Sequence, residues 1–299
     1  MGEGLGRRHN NSMDIIMSDY EKKIERAIKL LRAIPQDCEL EIGYSAGKDS
    51  DVILQLAKES GVPHKAVHKN TTIDTPGTLA HAKKNGAVIL QPKKRFFDLM
   101  PYYGVPSRFY RFCCRYLKEY RTGERVVLGI RKSESSRRKN RYNEPEECKV
   151  YRKDMGGGKA KLYYPILDWT NDDIVRFIKE RGIQCHPQYY DEWGEFHVER
   201  RVGCLACPLK TSRQMREDFL KYPKLLRLWV KNAQIHIDTH PESGNALKFN
   251  HDASELMLFK LFYEGKNYDK FKKAISGGIF GGEIGSAKQY LEDYFGVDL

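Results

Sequence analysis

The sequence contains no uninterrupted apolar run that approaches the length of a membrane span. Residues 1–11 are polar and rich in glycine, and they lack the apolar centre of a secretory signal. No internal repeat or low-complexity tract is present. These absences argue against a membrane partner and against export, so we expect the chain to act in the cytoplasm.

Cysteine is sparse, and none of the seven cysteines follows Cys207. A disulfide framework is not expected in a reducing compartment. Cys113 and Cys114 are adjacent, and Cys204 and Cys207 form a C-x-x-C pair, so two short segments offer four thiolates. Such a set binds a [4Fe–4S] cluster or a zinc ion, and plain buried thiols are the third interpretation. A tandem pair suits two irons of a cubane better than one tetrahedral ion, which favours the cluster.

Size and charge set the broad class of the protein. The chain has 299 residues, of which 40% are hydrophobic and 31% charged, enough for one large α/β domain and a smaller appended region. Its formal net charge of +12 suits polyanionic ligands such as nucleotides, DNA or RNA. A basic surface that only aids solubility is the alternative.

A short strand pattern, Leu40–Tyr44, runs into a loop of small and polar residues and then into a helical pattern that begins near Asp51. This arrangement directs backbone N–H groups and a helix N-terminus at an anion. It is not a Walker A loop, because Ile42 stands where that motif needs glycine. An ordinary strand–helix turn is the alternative. The candidate phosphate-binding residues are Ser45, Ala46, Gly47, Lys48, Asp49 and Ser50.

Strand patterns alternate with helical patterns through the first half of the chain, at 38–44, 65–68, 87–90 and 125–130. This alternation predicts an α/β fold with a parallel sheet and helices on both faces. The loops 44–50, 70–76 and 129–138 each follow a strand end, so we expect them to meet at one site. We predict an N-terminal helix and leader in 1–37, the main domain in 38–210 and a mainly helical region in 211–299. The basic, glycine-containing stretch 139–161 is expected to be a mobile surface loop.

Several of these segments, in this order, resemble the phosphoadenosine phosphosulfate (PAPS) reductase family of PP-loop proteins, whose fold is of the adenine nucleotide alpha hydrolase-like type. The resemblance covers roughly residues 38–210 and implies that Cys113, Cys114, Cys204 and Cys207 hold a [4Fe–4S] cluster. The matching segments are 45–50, 70–78, 111–118, 129–137, 165–169 with 172–174, and 203–208.

Two departures from the family pattern suggest which kind of member this is. Sulfonucleotide reductases lack the lysine-bearing loop and use a thiol near the C-terminus as nucleophile. Here the pair Lys48 and Asp49 is intact, and no cysteine follows Cys207. The sequence is therefore closer to the ATP-using sulfurtransferase and DNA phosphorothioation members. An atypical sulfonucleotide (APS/PAPS) reductase and a non-catalytic sensor of nucleotide or redox state are the alternatives.

The resemblance implies that ATP is cleaved to AMP and pyrophosphate to activate a substrate for sulfur transfer. The amides of 45–50, Lys48 and Mg²⁺ would stabilise the leaving pyrophosphate. Asp49 would hold Mg²⁺, or else only start the helix. Arg131 and Arg137 would bind phosphate, with a solvated basic loop as the alternative for Arg137 and Arg138. The nucleotide-binding set also includes Gly129 and Asp74, the latter binding ribose or metal unless it only shapes a turn.

The expected partners follow from the same chemistry. A nucleotide is the expected substrate, and a nucleic acid, DNA or tRNA, is a candidate acceptor because basic residues alternate with Tyr142 and Tyr151 in the stretch 139–161. A cysteine desulfurase or a thioredoxin-like protein is a candidate sulfur donor. Cys185 or Cys148 would be the thiol that carries sulfur, although a structural thiol is the simpler interpretation for Cys185.

Overall fold

The computed structural model describes residues 18–265, 268–276 and 286–299. The expected leader and the glycine pairs Gly277–Gly278 and Gly281–Gly282, predicted to interrupt the last helices, lie outside the described residues. Among the described helices, none is both long enough and apolar enough to pass through a bilayer.

Six strands form one sheet, and five of them run parallel. In chain order the strands are β1 (Leu40–Gly43), β2 (His64–Lys69), β3 (Val88–Leu90), β4 (Arg125–Val127), β5 (Glu146–Val150) and β6 (Lys159–Tyr163). Their order across the sheet is β3-β2-β1-β4-β6-β5, and only the edge pair β5–β6 is antiparallel. Strands β1 and β4 are neighbours although they are far apart in sequence, so the loops that follow them meet at one edge.

Helices precede, connect and follow the strands. They are α1 (Asp19–Ala33), α2 (Lys48–Ser60), α3 (Thr78–Lys84), α4 (Phe96–Tyr103), α5 (Ser136–Arg141), α6 (Asn171–Glu180), α7 (Ser212–Lys221), α8 (Pro223–Thr239), α9 (Gly244–Lys248), α10 (Ala253–Leu258), α11 (Tyr268–Ser276) and α12 (Ala287–Phe295). Local signals define several ends: capping boxes start α1 at Ser18 and α6 at Thr170, and Gly61 ends α2 with φ of 73°. The α/β class and the helical C-terminal region are confirmed.

Alternation along the strands divides the buried side chains between the two faces of the sheet. Val127 joins the first core, which α1, α2 and α6 form over β1, whereas its neighbour Val126 packs into a smaller cluster on the opposite face with Leu162. The second core joins α4 and the segment around Phe112 to the C-terminal helices. The helical region therefore shares one apolar interior with the segment that carries the first cysteine pair.

The prediction of a loop at 139–161 is wrong, because this surface stretch contains the end of α5, all of β5 and the start of β6. Strand β5 pairs with β6 from Glu146 opposite Tyr163 to Val150 opposite Lys159. Along β5 the exposed side alternates with a side that is only half-buried. Because both sides of this edge strand are polar or partly exposed, the sequence lacks the apolar alternation by which a strand is usually recognised.

Candidate nucleotide and cysteine sites

The loop between β1 and α2 is tightly wound and largely buried. Ala46 has φ of 60° and is fully buried, in the conformation that glycine adopts most readily. The Ser50 hydroxyl donates to the Gly47 carbonyl at 2.7 Å and lies 3.3 Å from the Ser45 oxygen. The Lys48 backbone N–H donates to the Tyr189 hydroxyl at 3.2 Å. The loop thus keeps small side chains and a helix N-terminus at the carboxyl end of β1, as predicted.

The side chains of Lys48 and Asp49 form the charged part of this loop. Lys48 is 5% exposed, and its Nζ lies 3.4 Å from an Asp49 carboxylate oxygen and 5.4 Å from the centre of the Tyr189 ring. Desolvation by burial lowers the pKa of Lys48, although the Asp49 charge opposes this effect. Because little water screens the buried Lys48 charge, a phosphate bound beside it would interact strongly with that charge.

Arg131 connects the loop after β4 to this charged pair. Its guanidinium is 1% exposed, and its Nε donates to the second Asp49 oxygen at 2.7 Å. Its other nitrogens donate to Ser133 Oγ at 2.8 Å and to Asn171 Oδ1 at 3.1 Å. The hydrogen-bond donors of the Arg131 guanidinium are therefore used by side chains of the protein itself. The sequence predicts its proximity to Asp49 but not its enclosure.

Gly129 lies where the two loops are closest. A Cβ at this position would stand 2.9 Å from both the carbonyl carbon and the carbonyl oxygen of Asp49. Because those atoms belong to the backbone of α2, they have little freedom to move aside. The glycine is therefore required by the close approach of the segment after β4 to the start of α2.

The two arginines that begin α5 have different surroundings. Arg137 is exposed, whereas Arg138 is half-buried and pairs with Glu134. Desolvation lowers the pKa of Arg138, and Asp49, Arg131 and the exposed Arg201 are near enough to influence it. Arg138 therefore interacts with the charged loop, and the predicted phosphate contact of the exposed Arg137 stays a prediction.

A buried polar network behind the loop was not found by sequence reasoning. The Asp51 carboxylate accepts from the Tyr44 hydroxyl and lies 3.0 Å from His81 Nε2. Burial, and then the Asp51 charge, raise the pKa of Cys185. A buried thiol with a raised pKa is a poor nucleophile, which favours the structural interpretation of Cys185.

The loop after β2 contacts the second cysteine segment. Asp74 accepts from the Thr71 N–H at 2.9 Å, and Cys204 Sγ lies 3.8 Å from the other Asp74 oxygen. Burial raises the pKa of the Asp74 carboxyl, and the His68 ring 3.7 Å away and the hydrogen bonds from Thr71 lower it, with a net decrease. Asp74 therefore stands beside a cysteine, and its predicted contact with ribose stays a prediction.

All four predicted ligand cysteines line one small cavity, which we call the cysteine cavity. Desolvation raises the pKa of Cys204 to about 11. A hydrogen bond between the adjacent thiols lowers the pKa of Cys114 to about 7 and raises that of Cys113. The cavity is lined by Thr71, Ile73, Phe96, Cys113, Cys114, Lys118, Cys204, Ala206, Cys207, Pro208 and Trp229.

The spacing of these thiols distinguishes the two metal hypotheses. Within the described residues, one group has three or more candidate ligand atoms that all lie within 4.8 Å of one another. It consists of Asp191, Glu195 and His197. No three of the four cavity sulfurs are therefore that close. A tetrahedral zinc ion with bonds of about 2.3 Å needs sulfurs about 3.8 Å apart. A cubane attaches its thiolates to separate irons, so it accepts the wider spacing.

Trp229 adds a second observation at the cysteine cavity. Its indole is fully buried, and its Nε1 has no hydrogen-bond partner among the described residues. Leaving such a donor unpaired costs about 1–3 kcal/mol. A sulfur-containing group in the cavity would offer an acceptor for this N–H. The four thiols and the unpaired donor together fit an iron–sulfur cluster.

Comparison with known proteins identifies the family of the chain. Residues 39–210 match the phosphoadenosine phosphosulfate reductase domain. An uncharacterized 37.8 kDa protein of Escherichia phage 186 is 28% identical, over 73% of this chain and 62% of that protein. An uncharacterized protein of Methanocaldococcus jannaschii is 23% identical, over 77% of this chain but 46% of the relative. The chain thus spans about half to three-fifths of these two relatives.

One named relative and two solved structures are also similar. Sulfate adenylyltransferase subunit 2 of Shewanella pealeana is 22% identical, over 70% of this chain and 81% of that protein. The PAPS reductase of Candida auris, in a phosphate complex, aligns with 64% of this chain and 98% of its own at 15% identity and a TM-score of 0.42. The FMN adenylyltransferase of Candida glabrata aligns with 62% of this chain and 63% of its own, at 12% identity and a TM-score of 0.41.

Proposed function

The chain belongs to the phosphoadenosine phosphosulfate reductase domain family, and on that premise we propose that it is an ATP-dependent PP-loop enzyme with a [4Fe–4S] cluster. It cleaves ATP to AMP and pyrophosphate and so activates a nucleotide or nucleic acid for replacement of an oxygen by sulfur. The observation that carries the proposal is Lys48, a buried cation at the start of α2 in a loop whose charged pair is complete.

The proposed catalytic role of the loop is electrostatic. Charge develops on pyrophosphate as it leaves, and the α2 N-terminus and Lys48 are fixed where they stabilise that charge. One Asp49 oxygen contacts Arg131 and the other contacts Lys48. The main role of Asp49 is therefore to position the Lys48 side chain. A Mg²⁺ bound to the nucleotide phosphates would reach Asp49 through water and neutralise further phosphate charge. Arg131 acts as a positioning residue.

The reductase alternative requires a nucleophilic thiol outside the cysteine cavity. Cys185 is buried and has a raised pKa, and Cys38 contacts the Arg125 guanidinium at 2.8 Å. Cys148 is exposed on the edge strand β5. Of the three, Cys185 is the thiol that interacts with Lys48, and its raised pKa makes it a poor nucleophile, which supports the ATP-dependent reaction over reduction.

The test is an anaerobic assay of pyrophosphate release from ATP. We expect pyrophosphate and AMP in the presence of a sulfur donor and an acceptor, and we expect Lys48→Ala to abolish them while the protein stays folded. Release of inorganic phosphate, or no nucleotide binding, would contradict the proposal. Thioredoxin-dependent sulfite formation from an adenylyl sulfate would establish the reductase instead.

The cluster has its own assay. Anaerobic protein should contain iron and acid-labile sulfide in equal amounts, close to four of each per chain, as a [4Fe–4S] cluster requires. Cys207→Ser should remove most of both, whereas Cys148→Ser, the matched control on an exposed strand, should leave them unchanged. One zinc per chain and no sulfide would contradict this part of the proposal.

A further inference from the structure

A second cavity, about 500 Å³ in volume, lies on the other side of the segment that carries the first cysteine pair. We call it the tyrosine pocket. Leu99 and Leu117 are buried and form its interior, Tyr116 and Tyr120 are half-buried, and Lys93 and Lys94 are exposed at its mouth. Its volume falls in the range of sites that bind small molecules. Neither the family match nor the relatives assign a role to it.

Both tyrosine rings are held in place by neighbouring groups. The Tyr116 ring stacks on Tyr103 with centres 5.2 Å apart, and its hydroxyl donates to Asp154 at 3.3 Å. Lys69 lies 4.6 Å from the centre of the Tyr120 ring and donates to the Tyr120 carbonyl. Fixed aromatic rings lose little conformational entropy when a planar ligand stacks on them.

The charges around the pocket favour an anion at its mouth. Lys93 and Lys94 are exposed, and Lys94 Nζ lies 4.7 Å from the centre of the Tyr102 ring. The one carboxylate that lines the pocket, Asp154, pairs with Arg115 and lies 3.5 Å from Arg152. Its negative charge is thus balanced within the protein. An apolar aromatic interior with cations at the rim is complementary to a base joined to a phosphate.

The pocket is next to the proposed chemistry. Tyr116 and Leu117 belong to the π-helical turn Cys114–Lys118, whose end residues line the cysteine cavity. Gln91, at the pocket, follows β3 and accepts from Asn70, which follows β2, at 2.8 Å. The pocket therefore opens at the carboxyl edge of the sheet, as does the loop that contains Lys48.

We propose that the tyrosine pocket binds one nucleotide of a single-stranded nucleic acid, with its base stacked on Tyr116 or Tyr120 and its phosphate on Lys93 and Lys94. This inference rests on the proposed function and names the acceptor as a nucleic acid strand. DNA and RNA share the base and phosphate that the pocket recognises, and the experiment separates them.

The test measures the anisotropy of fluorescein-labelled twelve-nucleotide strands, oligo(dU) and oligo(U), bound to the whole protein at several salt concentrations. Tyr120→Ala should weaken binding by about 5- to 150-fold, the usual effect of losing one stacked base. Lys93→Ala with Lys94→Ala should reduce the slope of log K against log salt by about 1.4, which corresponds to two phosphate contacts on a single strand. Tighter binding of one strand identifies the sugar of the acceptor.

Matched controls separate the pocket from general basicity. Lys221→Ala with Lys224→Ala removes two exposed lysines from the C-terminal helices, and Trp193→Ala removes an aromatic ring that is 80% exposed. Both controls should leave binding unchanged. Equal losses in the control and pocket variants would overturn the inference, as would unchanged binding in both pocket variants. Tyr120→Phe keeps the ring and should bind normally, so its failure to bind would also overturn it.

ATP binding distinguishes this inference from the proposed function. Lys48→Ala should lose pyrophosphate release but still bind the strand, and the pocket variants should still bind ATP. Parallel loss of ATP and strand binding in the pocket variants would show that the pocket belongs to the ATP site. Strand binding without pyrophosphate release by the native protein would refute the proposed reaction and leave the pocket in place.

Discussion

Replacing Arg131 tests whether it is a structural anchor or a phosphate ligand. Arg131→Met keeps an apolar chain of similar reach but removes the charge and the hydrogen bonds to Asp49, Ser133 and Asn171. Removing one partner of a buried ion pair costs about 3–5 kcal/mol, because the other charge stays buried. Asp49 keeps Lys48 and is 16% exposed, so we expect about 3 kcal/mol.

Urea unfolding followed by circular dichroism measures this loss, and the double variant Arg131→Met with Asp49→Asn isolates the pair. The two changes should be coupled by about 1–3 kcal/mol, since they remove the same contact. Arg137→Met is the control: its side chain is exposed, so its effect should stay within about 0.5 kcal/mol.

The refuting result concerns nucleotide binding. If Arg131→Met unfolds within about 1 kcal/mol of the native protein but binds ATP at least about tenfold more weakly, Arg131 contacts the nucleotide and does not act mainly as an anchor. If Arg137→Met abolishes pyrophosphate release without loss of stability, the role predicted for Arg137 from the sequence is correct.

Three further changes test other parts of the site. Gly129→Ala should destabilise the protein by about 1–3 kcal/mol in thermal unfolding, because its Cβ meets the Asp49 backbone; Gly244→Ala, where the Cβ meets nothing, should not, and equal effects would contradict the close approach. Desolvation lowers the pKa of Lys48, so this side chain loses its charge at a pH below the ordinary lysine pKa. ATP affinity, measured by calorimetry, should therefore fall as the pH rises through the lowered pKa. Lys48→Arg should reduce that fall, because arginine stays charged. The unfolded chain binds this proton more tightly, so the contribution of Lys48 to stability should rise with pH between the lowered and the ordinary pKa. Trp229→Phe should make the reduction potential of the proposed cluster more negative in a redox titration, because an N–H donor favours the reduced cluster; an unchanged potential would show that the indole does not contact it.

The sequence predicts the features that depend on local pattern. Small residues between a strand and a helix predicted the loop from Ser45 to Ser50, and the alternation of strand and helix patterns predicted the parallel sheet. The four cysteines could be expected to meet because their segments match one family in order. These signals operate over a few residues or a single motif, which is the range that sequence reasoning covers well.

Other features depend on contacts that no local pattern encodes. Tyr189 accepts the Lys48 N–H from a position 141 residues away, and Asp74 contacts Cys204 through a bridge between two loops. Arg138 is half-buried and Arg137 is exposed because of the rotation of the short helix α5. A shift of one residue along a helix moves a side chain by about 100° around its axis. Such placements follow from tertiary packing, so they could not be deduced beforehand.

The shared interior of the cysteine segment and the C-terminal helices would make metal content a determinant of folding in the proposed [4Fe–4S] protein. Cys113 and Cys204 both pack against the second core, which includes Trp229 and helices near the end of the chain. Any group that bridges the two cysteine segments binds only when that core is assembled, so its binding free energy adds to the stability of the helices. If the proposed [4Fe–4S] cluster is that group, iron starvation should increase proteolysis of the C-terminal third of the chain before any change in the loop between β1 and α2.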